Sequence, residues 1–130
     1  MSTKESHPLV RIESVALIAI GGFAGSNLRY FTSFLLPGMQ GTLVVNALGS
    51  FALGFVLYET IYSGILASET RAVVSTGFLS SFTTYSTFAL QSAQAAPIWL
   101  IVNVVANYAL GFTGVLVGRS LARLVDRRWS

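Results

Sequence analysis

The residues that could do chemistry in this chain gather in one segment. Ser75–Thr87 reads Ser-Thr-Gly-Phe-Leu-Ser-Ser-Phe-Thr-Thr-Tyr-Ser-Thr, with eight hydroxyl amino acids, Ser or Thr, among 13 residues. Phe82, Tyr85 and Phe88 recur through it at i, i+3 and i+6. Three asparagines extend the theme: Asn46, and the pair Asn103 and Asn107, which share a helix face at i, i+4 with Gly111 continuing it. Hydroxyl and amide N–H groups donate to anions, and the edge of an aromatic ring is positive. Each feature alone has a plain alternative. A hydroxyl can bond the preceding turn's carbonyl, an asparagine can join two helices, and an aromatic stripe can simply pack. Together they form a neutral polar track able to solvate a small anion or a neutral solute without holding it tightly.

The same inventory excludes other chemistry. There is no cysteine, so disulfides and cysteine-ligated metals are out. The single histidine, His7, lies in the polar N-terminal tail. Glu13, Arg29, Glu59, Glu69, Arg71 and Arg119 all fall near the ends of apolar stretches. Proton-coupled transport needs an acidic or histidine relay at membrane depth, and a nucleophilic serine or threonine needs a base to activate it. Neither is visible, so the chain is not read as an enzyme.

The elements that must position these residues follow from composition. Hydrophobic residues make up 53% of the chain and charged ones 10%, against roughly 25% charged in an average soluble domain. Mean hydropathy is +0.67. A soluble domain of 130 residues exposes too much of itself to hide that much apolar surface, so lipid is the expected solvent. Ser14–Leu28, Tyr30–Tyr58 and the 47 residues Ala72–Gly118 carry no charge. A crossing needs about 20 apolar residues, so the last run accommodates two, divided at Pro97.

The sequence therefore predicts an all-α integral membrane protein. Its four transmembrane helices cover about Ser14–Leu36, Thr42–Ser63, Glu69–Ala96 and Pro97–Arg123. A polar tail (1–13) precedes one transmembrane domain (14–127) and a short C-terminal end (128–130). The first apolar stretch is read as retained rather than cleaved, since no small-residue cleavage site follows it. So many hydroxyls around Gly77 are costly inside a lipid-facing helix, and irregular backbone at that depth survives only against protein or a cavity. Helix three is therefore expected to be broken within Ser75–Thr87.

Charge sets orientation. Lys4, Arg11, Arg71, Arg119, Arg123, Arg127 and Arg128 share one side, and Arg29 alone lies on the other. Under the positive-inside rule both termini are cytoplasmic. Arg119, Arg123 and Arg127 lie along one helix face and suit anionic lipid headgroups. Without a folded domain or interleaved aromatics around them they do not read as a nucleic-acid site. Gly21 and Gly25, Gly114 and Gly118, and Ser50 with Gly54 are small residues four apart, which allow close helix approach in lipid within or between chains. Four helices leave little room for a pore, so a transporter of this size calls for an oligomer.

Four blocks of sequence resemble the Fluc (CrcB) fluoride channels of microbes. They are Gly21-Gly22-Phe23-Ala24-Gly25 with Arg29-Tyr30; Gly41-Thr42-Leu43-Val44-Val45-Asn46 with Gly49-Ser50; Gly77-Phe78-Leu79 with Thr83-Thr84-Tyr85-Ser86-Thr87-Phe88; and the small-residue pattern of helix four. The resemblance implies two inverted four-helix subunits packed as an antiparallel dimer, in the dual-topology manner. Two pores would run along their interface, passing fluoride by electrodiffusion and excluding chloride, so that cytoplasmic fluoride is exported and its toxicity lowered. It also implies a structural sodium ion at the dimer centre that is not transported. By position, Asn46 resembles the pore asparagine, and Tyr85 and Phe88 fall on two phenylalanines whose edges face fluoride. Thr84, Ser86 and Thr87 resemble their hydroxyl partners. Asn107 and Asn103 fall on pore-lining positions of helix four, Arg29 on an arginine near the pore mouth, and Ser80 and Thr83 on the carbonyl ligands of sodium.

Two departures stand out. The first pore phenylalanine is Tyr85, which keeps a ring edge but adds a phenol. The family's paired glycines are Ser80 and Ser81, which resist backbone angles that glycine permits. The charge bias adds a third point. A chain that inserts mainly one way would need an inverted paralogue to build an antiparallel dimer, so a heterodimer stands beside the homodimer. The runner-up is a small multidrug exporter, also four-helix, but its carboxylate belongs inside helix one and Glu13 stands at the entrance. A non-transporting membrane assembly subunit is the third reading.

Overall fold

The computed structural model describes residues 8–129. Lys4, His7 and Ser130 lie outside the described residues, as does the side chain of Arg128. Helix α1 spans Pro8–Leu35. It starts on a proline, whose missing N–H has no partner in a first turn. Residues 8–13, expected in the tail, form its first turns. The chain turns at Pro37-Gly38, where Gly38 takes φ 77°, a left-handed conformation that glycine adopts without a Cβ clash. Helix α2 follows over Met39–Tyr62.

Helix α3 (68–82) is α-helical at Ser68–Arg71, π-wound over Ala72–Leu79 and α-helical again at Ser80–Phe82. The chain then leaves helical geometry. Thr83 is extended (φ −80°, ψ 163°), and helix resumes as α4 at Ser86–Gln94. The interruption thus lies at Thr83–Tyr85, beyond Gly77, whose own surroundings are π-wound and continuous. Helix α5, Pro97–Trp129, closes the chain. Met39–Tyr62 and Pro97–Arg127 are each long and apolar enough to cross a membrane. With α3 and α4 counted as one crossing, the helices fit a four-crossing chain.

Packing does not follow chain order. The close pairs are α1 with α3 and α2 with α5, while α1 and α2 barely touch. Short loops make consecutive helices antiparallel, so each close pair runs parallel. The α2–α5 register shows this directly, with one offset of 61 residues setting Asn46 against Asn107, Tyr58 under Arg119 and Tyr62 under Arg123.

Glycine permits both approaches. A Cβ on Gly25 would fall on the Phe78 carbonyl, and one on Gly118 would fall on the Phe51 carbonyl. The GxxxG pairs of α1 and α5 therefore serve contacts within the chain. In lipid, where burial of apolar area drives little, such backbone proximity is a main source of helix association.

The buried apolar set is small: Val45, Val56, Leu79, Phe82, Phe88 and Ala122. Ile98, Ile101, Val105, Phe112 and Leu116 on α5 are exposed, as suits a lipid or subunit face. One carboxylate is inside. Glu59 is 2% exposed, and its Oε2 accepts from the N–H groups of Ile65 (2.6 Å) and Leu66 (3.0 Å). Arg71 lies 4.0 Å from its other oxygen and donates to the Leu66 carbonyl. This charged clasp folds the α2–α3 loop, and a loop role rather than a transport role explains Glu59.

Candidate functional site

Leaving the helix at Thr83 strips backbone groups of their partners. In an unbroken helix, Thr84 N–H would bond the Ser80 carbonyl and Thr87 N–H the Thr83 carbonyl. Thr84 N–H instead donates to Asn46 Oδ1 at 2.8 Å, and Asn46 Nδ2 donates to the Thr84 carbonyl at 2.9 Å. A single primary amide from α2 thus replaces both ladder bonds of one residue. Thr87 N–H turns to Thr84 Oγ1 at 3.1 Å and starts α4, as a side-chain oxygen does at a helix N-terminus. The carbonyls of Ser80 and Thr83 are left without their helical donors.

The amide network runs on into α5 and α4. Asn46 Nδ2 donates its second proton to Asn107 Oδ1 at 3.3 Å. Asn107 Nδ2 donates to the Asn103 carbonyl (2.8 Å) and to Asn103 Oδ1 (3.0 Å). Asn103 Nδ2 donates to Ser92 Oγ at 2.8 Å. Both protons of Asn46 and of Asn107 are therefore engaged within the chain. Thr84, Ser92 and Asn103 are buried, where a polar group left unpaired would cost about 1–3 kcal/mol.

Two cavities flank this network. The larger, about 380 Å³, includes Asn46, Thr84, Tyr85, Phe88, Asn107 and Tyr108 in its lining. Ser80 and Thr83 lie on the same wall. None of its lining side chains carries a formal charge. Tyr85 is 72% exposed and its ring centroid is 5.9 Å from that of Phe88. Phe88 meets Tyr108 edge-on, at 6.3 Å and 81°. The smaller cavity, about 250 Å³, includes Arg29, Thr42 and Thr87 in its lining, and Thr84 borders both.

The fold therefore brings Asn46, Ser80, Thr83, Thr84, Tyr85, Phe88 and Asn107 to one cleft. It sets Arg29 and Thr87 at the adjoining one. Asn103 is behind the cleft as a buried support. Ser86 is exposed at the start of α4 and lines neither cavity. Sequence reasoning missed Ser92 and Tyr108. Ser92 stands four residues after Phe88, one turn on along the same face, and Tyr108 directly follows Asn107.

Comparison with known proteins is consistent over nearly the whole chain. A family model described as CrcB-like protein, Camphor Resistance (CrcB), matches residues 16–119. The fluoride-specific ion channel FluC 1 of Haloarcula marismortui is 59% identical, over 92% of this chain and 94% of that protein. The fluoride-specific ion channel FluC 2 of Halobacterium salinarum is 49% identical, over 88% and 92%. The fluoride-specific ion channel FluC of Methanopyrus kandleri is 39% identical, over 89% and 92%. The matched span runs from the α1–α3 glycine contact through the non-helical residues 83–85 to the α2–α5 register, and on these matches the chain is a membrane protein of the CrcB family.

Proposed function

We propose that the chain is a subunit of a fluoride-specific channel that exports cytoplasmic fluoride by passive electrodiffusion and so limits its toxicity. The single observation that carries this reading is the uncharged cleft at the helix interruption. There one asparagine holds open a turn whose hydroxyls and ring edges face a shared space. The relatives' names point to the same ion.

The cleft gives each group a role. Arg29 raises the local anion concentration at the smaller cavity. Thr84 borders both cavities. Its Oγ1 accepts from Thr87 N–H, so its hydroxyl proton is available to a passing ion. Tyr85 and Phe88 present ring edges, and the Tyr85 phenol adds a donor. The amides hold the frame more than they solvate, since their protons are already engaged. The 3.3 Å Asn46–Asn107 contact is the longest in that network and the one an anion could replace. Because no group lining the larger cavity is cationic, binding there stays weak enough for release, as conduction requires.

The open flank of the cleft, with Tyr85 exposed, is where a second subunit would complete the path. We take that partner to be inverted, in an antiparallel homodimer or a heterodimer with an inverted paralogue, with helix three broken at membrane depth and both termini of this chain cytoplasmic. Family resemblance also implies a structural sodium ion. The residues present fit it. The Ser80 and Thr83 carbonyls have lost their helical donors, and unwound backbone carbonyls are known ligands of sodium at discontinuous helices. They would hold it, and the ion would supply fixed positive charge at the subunit interface.

The test is efflux from liposomes containing the purified chain, read with a fluoride electrode and a chloride control. Fluoride loss with chloride retained is expected, from the chain alone or with a co-expressed inverted relative. Equal loss of both ions would overturn the reading, as would no fluoride loss either alone or with a co-expressed inverted relative.

A further inference from the structure

One end of the molecule carries charge that the pathway does not use. Arg119 and Arg123 on α5 follow each other at i, i+4, and so do Tyr58 and Tyr62 on α2. The 61-residue offset that sets Asn46 against Asn107 also puts these two ladders in register. The Arg119 guanidinium lies 5.5 Å from the Tyr58 ring centroid, and that of Arg123 lies 5.7 Å from the Tyr62 ring. Both Nε atoms also approach one oxygen, the Tyr62 phenol, at 3.5 and 3.4 Å.

A tyrosine ring under each guanidinium attracts it by a cation–π contact. Each has five N–H donors, and only Nε–H is turned to the phenol. Among the described residues neither arginine is ion-paired with a carboxylate. The ion pair found there is Arg71–Glu59. Asp126 accepts from the Ser63 hydroxyl at 3.1 Å. Two cations thus converge on a neutral oxygen with most of their donors unassigned. A shared anion would relieve their repulsion, and the planar forks suit phosphate oxygens.

The surroundings point to a lipid as the source of that phosphate. Tyr62 ends α2, one of the two helices among the described residues long and apolar enough to cross a membrane. Tyr58 stands 12 residues beyond Asn46, about 18 Å along the helix, so the ladder lies clear of the cleft and toward headgroup depth. Tyrosine and arginine are both at home in that layer. Leu57, Ile61 and Leu124, on the same two helix ends, are exposed and offer acyl chains an apolar flank. The geometry points to a binding site for the phosphate of an anionic membrane lipid, gripped by Arg119 and Arg123 and pre-shaped by Tyr58 and Tyr62.

The test uses the full chain, purified, delipidated and mixed with phosphatidylglycerol or phosphatidylcholine of identical acyl chains. Retained lipid is counted by native mass spectrometry. We expect phosphatidylglycerol to be retained about 25-fold more strongly, the equivalent of about 1 kcal/mol for each of two arginines. Arg119→Gln with Arg123→Gln should bring the two lipids near parity in a chain that still elutes as a single species. Tyr58→Leu with Tyr62→Leu, which keeps both charges, should lower the preference part of the way. Equal retention by the parent chain overturns the proposal, and so does an unchanged preference in the arginine variant. Displacement of the lipid by millimolar inorganic phosphate would overturn the lipid assignment in favour of a free-anion site. Should the arginine variant fail to fold, the headgroup comparison on the parent chain and the tyrosine variant still decide.

Discussion

Asn46 does two things with one amide. It satisfies both backbone groups of Thr84, at 2.8 and 2.9 Å, and it reaches Asn107 across the α2–α5 contact. Asn46→Asp is nearly isosteric but replaces a double donor with a carboxylate. That would set negative oxygen against the Thr84 carbonyl and Asn107 Oδ1, and put a negative charge on an anion path. We expect it to abolish fluoride efflux, and flux near that of the parent chain would remove Asn46 from the path. Phe88 is 8% exposed and touches both Tyr85 and Tyr108. Phe88→Ile keeps a similar volume and loses the ring edge. Its efflux should fall at least about tenfold, near the effect of one lost contact of about 1.4 kcal/mol, while thermal stability in detergent changes little. At this scale the sequence was informative about types and less so about tasks. Residue type and spacing singled out the asparagines as a polar track. Only the coordinates reveal that their protons are used internally, because amide orientation depends on partners from distant helices. Ser92 was illegible for the same reason. A lone serine on an amphipathic helix acquires meaning only once Asn103 is seen donating to it.

The elements explain why the interruption is held at Thr83–Tyr85. The expected break covered the whole hydroxyl-rich segment Ser75–Thr87, in which Gly77 is the glycine. Yet Gly77 is buried against Ile18 and Gly21 of α1, and that close contact keeps the chain wound there, as a π-helix over Ala72–Leu79. The helix gives way where a replacement for its hydrogen bonds exists, which is opposite Asn46. Helix number and rough limits were legible from uncharged runs and from Pro37 and Pro97. The pairing was not, because GxxxG marks a close approach without naming its partner. Both glycine pairs prove to join parallel helices that are not neighbours in the chain. The consequence is testable. Gly118→Leu would drive a side chain into the Phe51 carbonyl and the Phe55 backbone, at a cost of about 1–3 kcal/mol for overpacking. The thermal midpoint of the detergent-solubilised chain should drop by several degrees. Because the α2–α5 register also sets Asn46 against Asn107, fluoride efflux should fall with it. A variant with unchanged midpoint would show that the two helices do not need this contact.

The whole molecule is asymmetric in charge in a way that bears on assembly. By the crossings expected from sequence, seven basic residues fall on the side of the termini and the α2–α3 loop, and Arg29 alone on the other. Arg119 and Arg123 lie over tyrosine rings and unpaired with acid on that heavy side, and Arg71 is clasped to Glu59 there, so the bias is built into folded contacts and not only into a tail. Basic residues that close to the spans set orientation. We therefore expect the chain, expressed alone, to insert predominantly with its C-terminus in the cytoplasm. The absence of cysteine makes the measurement simple. Ser130→Cys places one thiol at the C-terminus, and a membrane-impermeant maleimide applied to intact cells labels only outward-facing molecules. Little labelling before lysis and strong labelling after it is the expected result. It would leave few inverted copies to complete the open side of the cleft, so efflux by the chain alone should be slow and should rise sharply with an inverted paralogue. Labelling of half the molecules on intact cells would instead mean dual topology, and the homodimer would then account for both faces of the path.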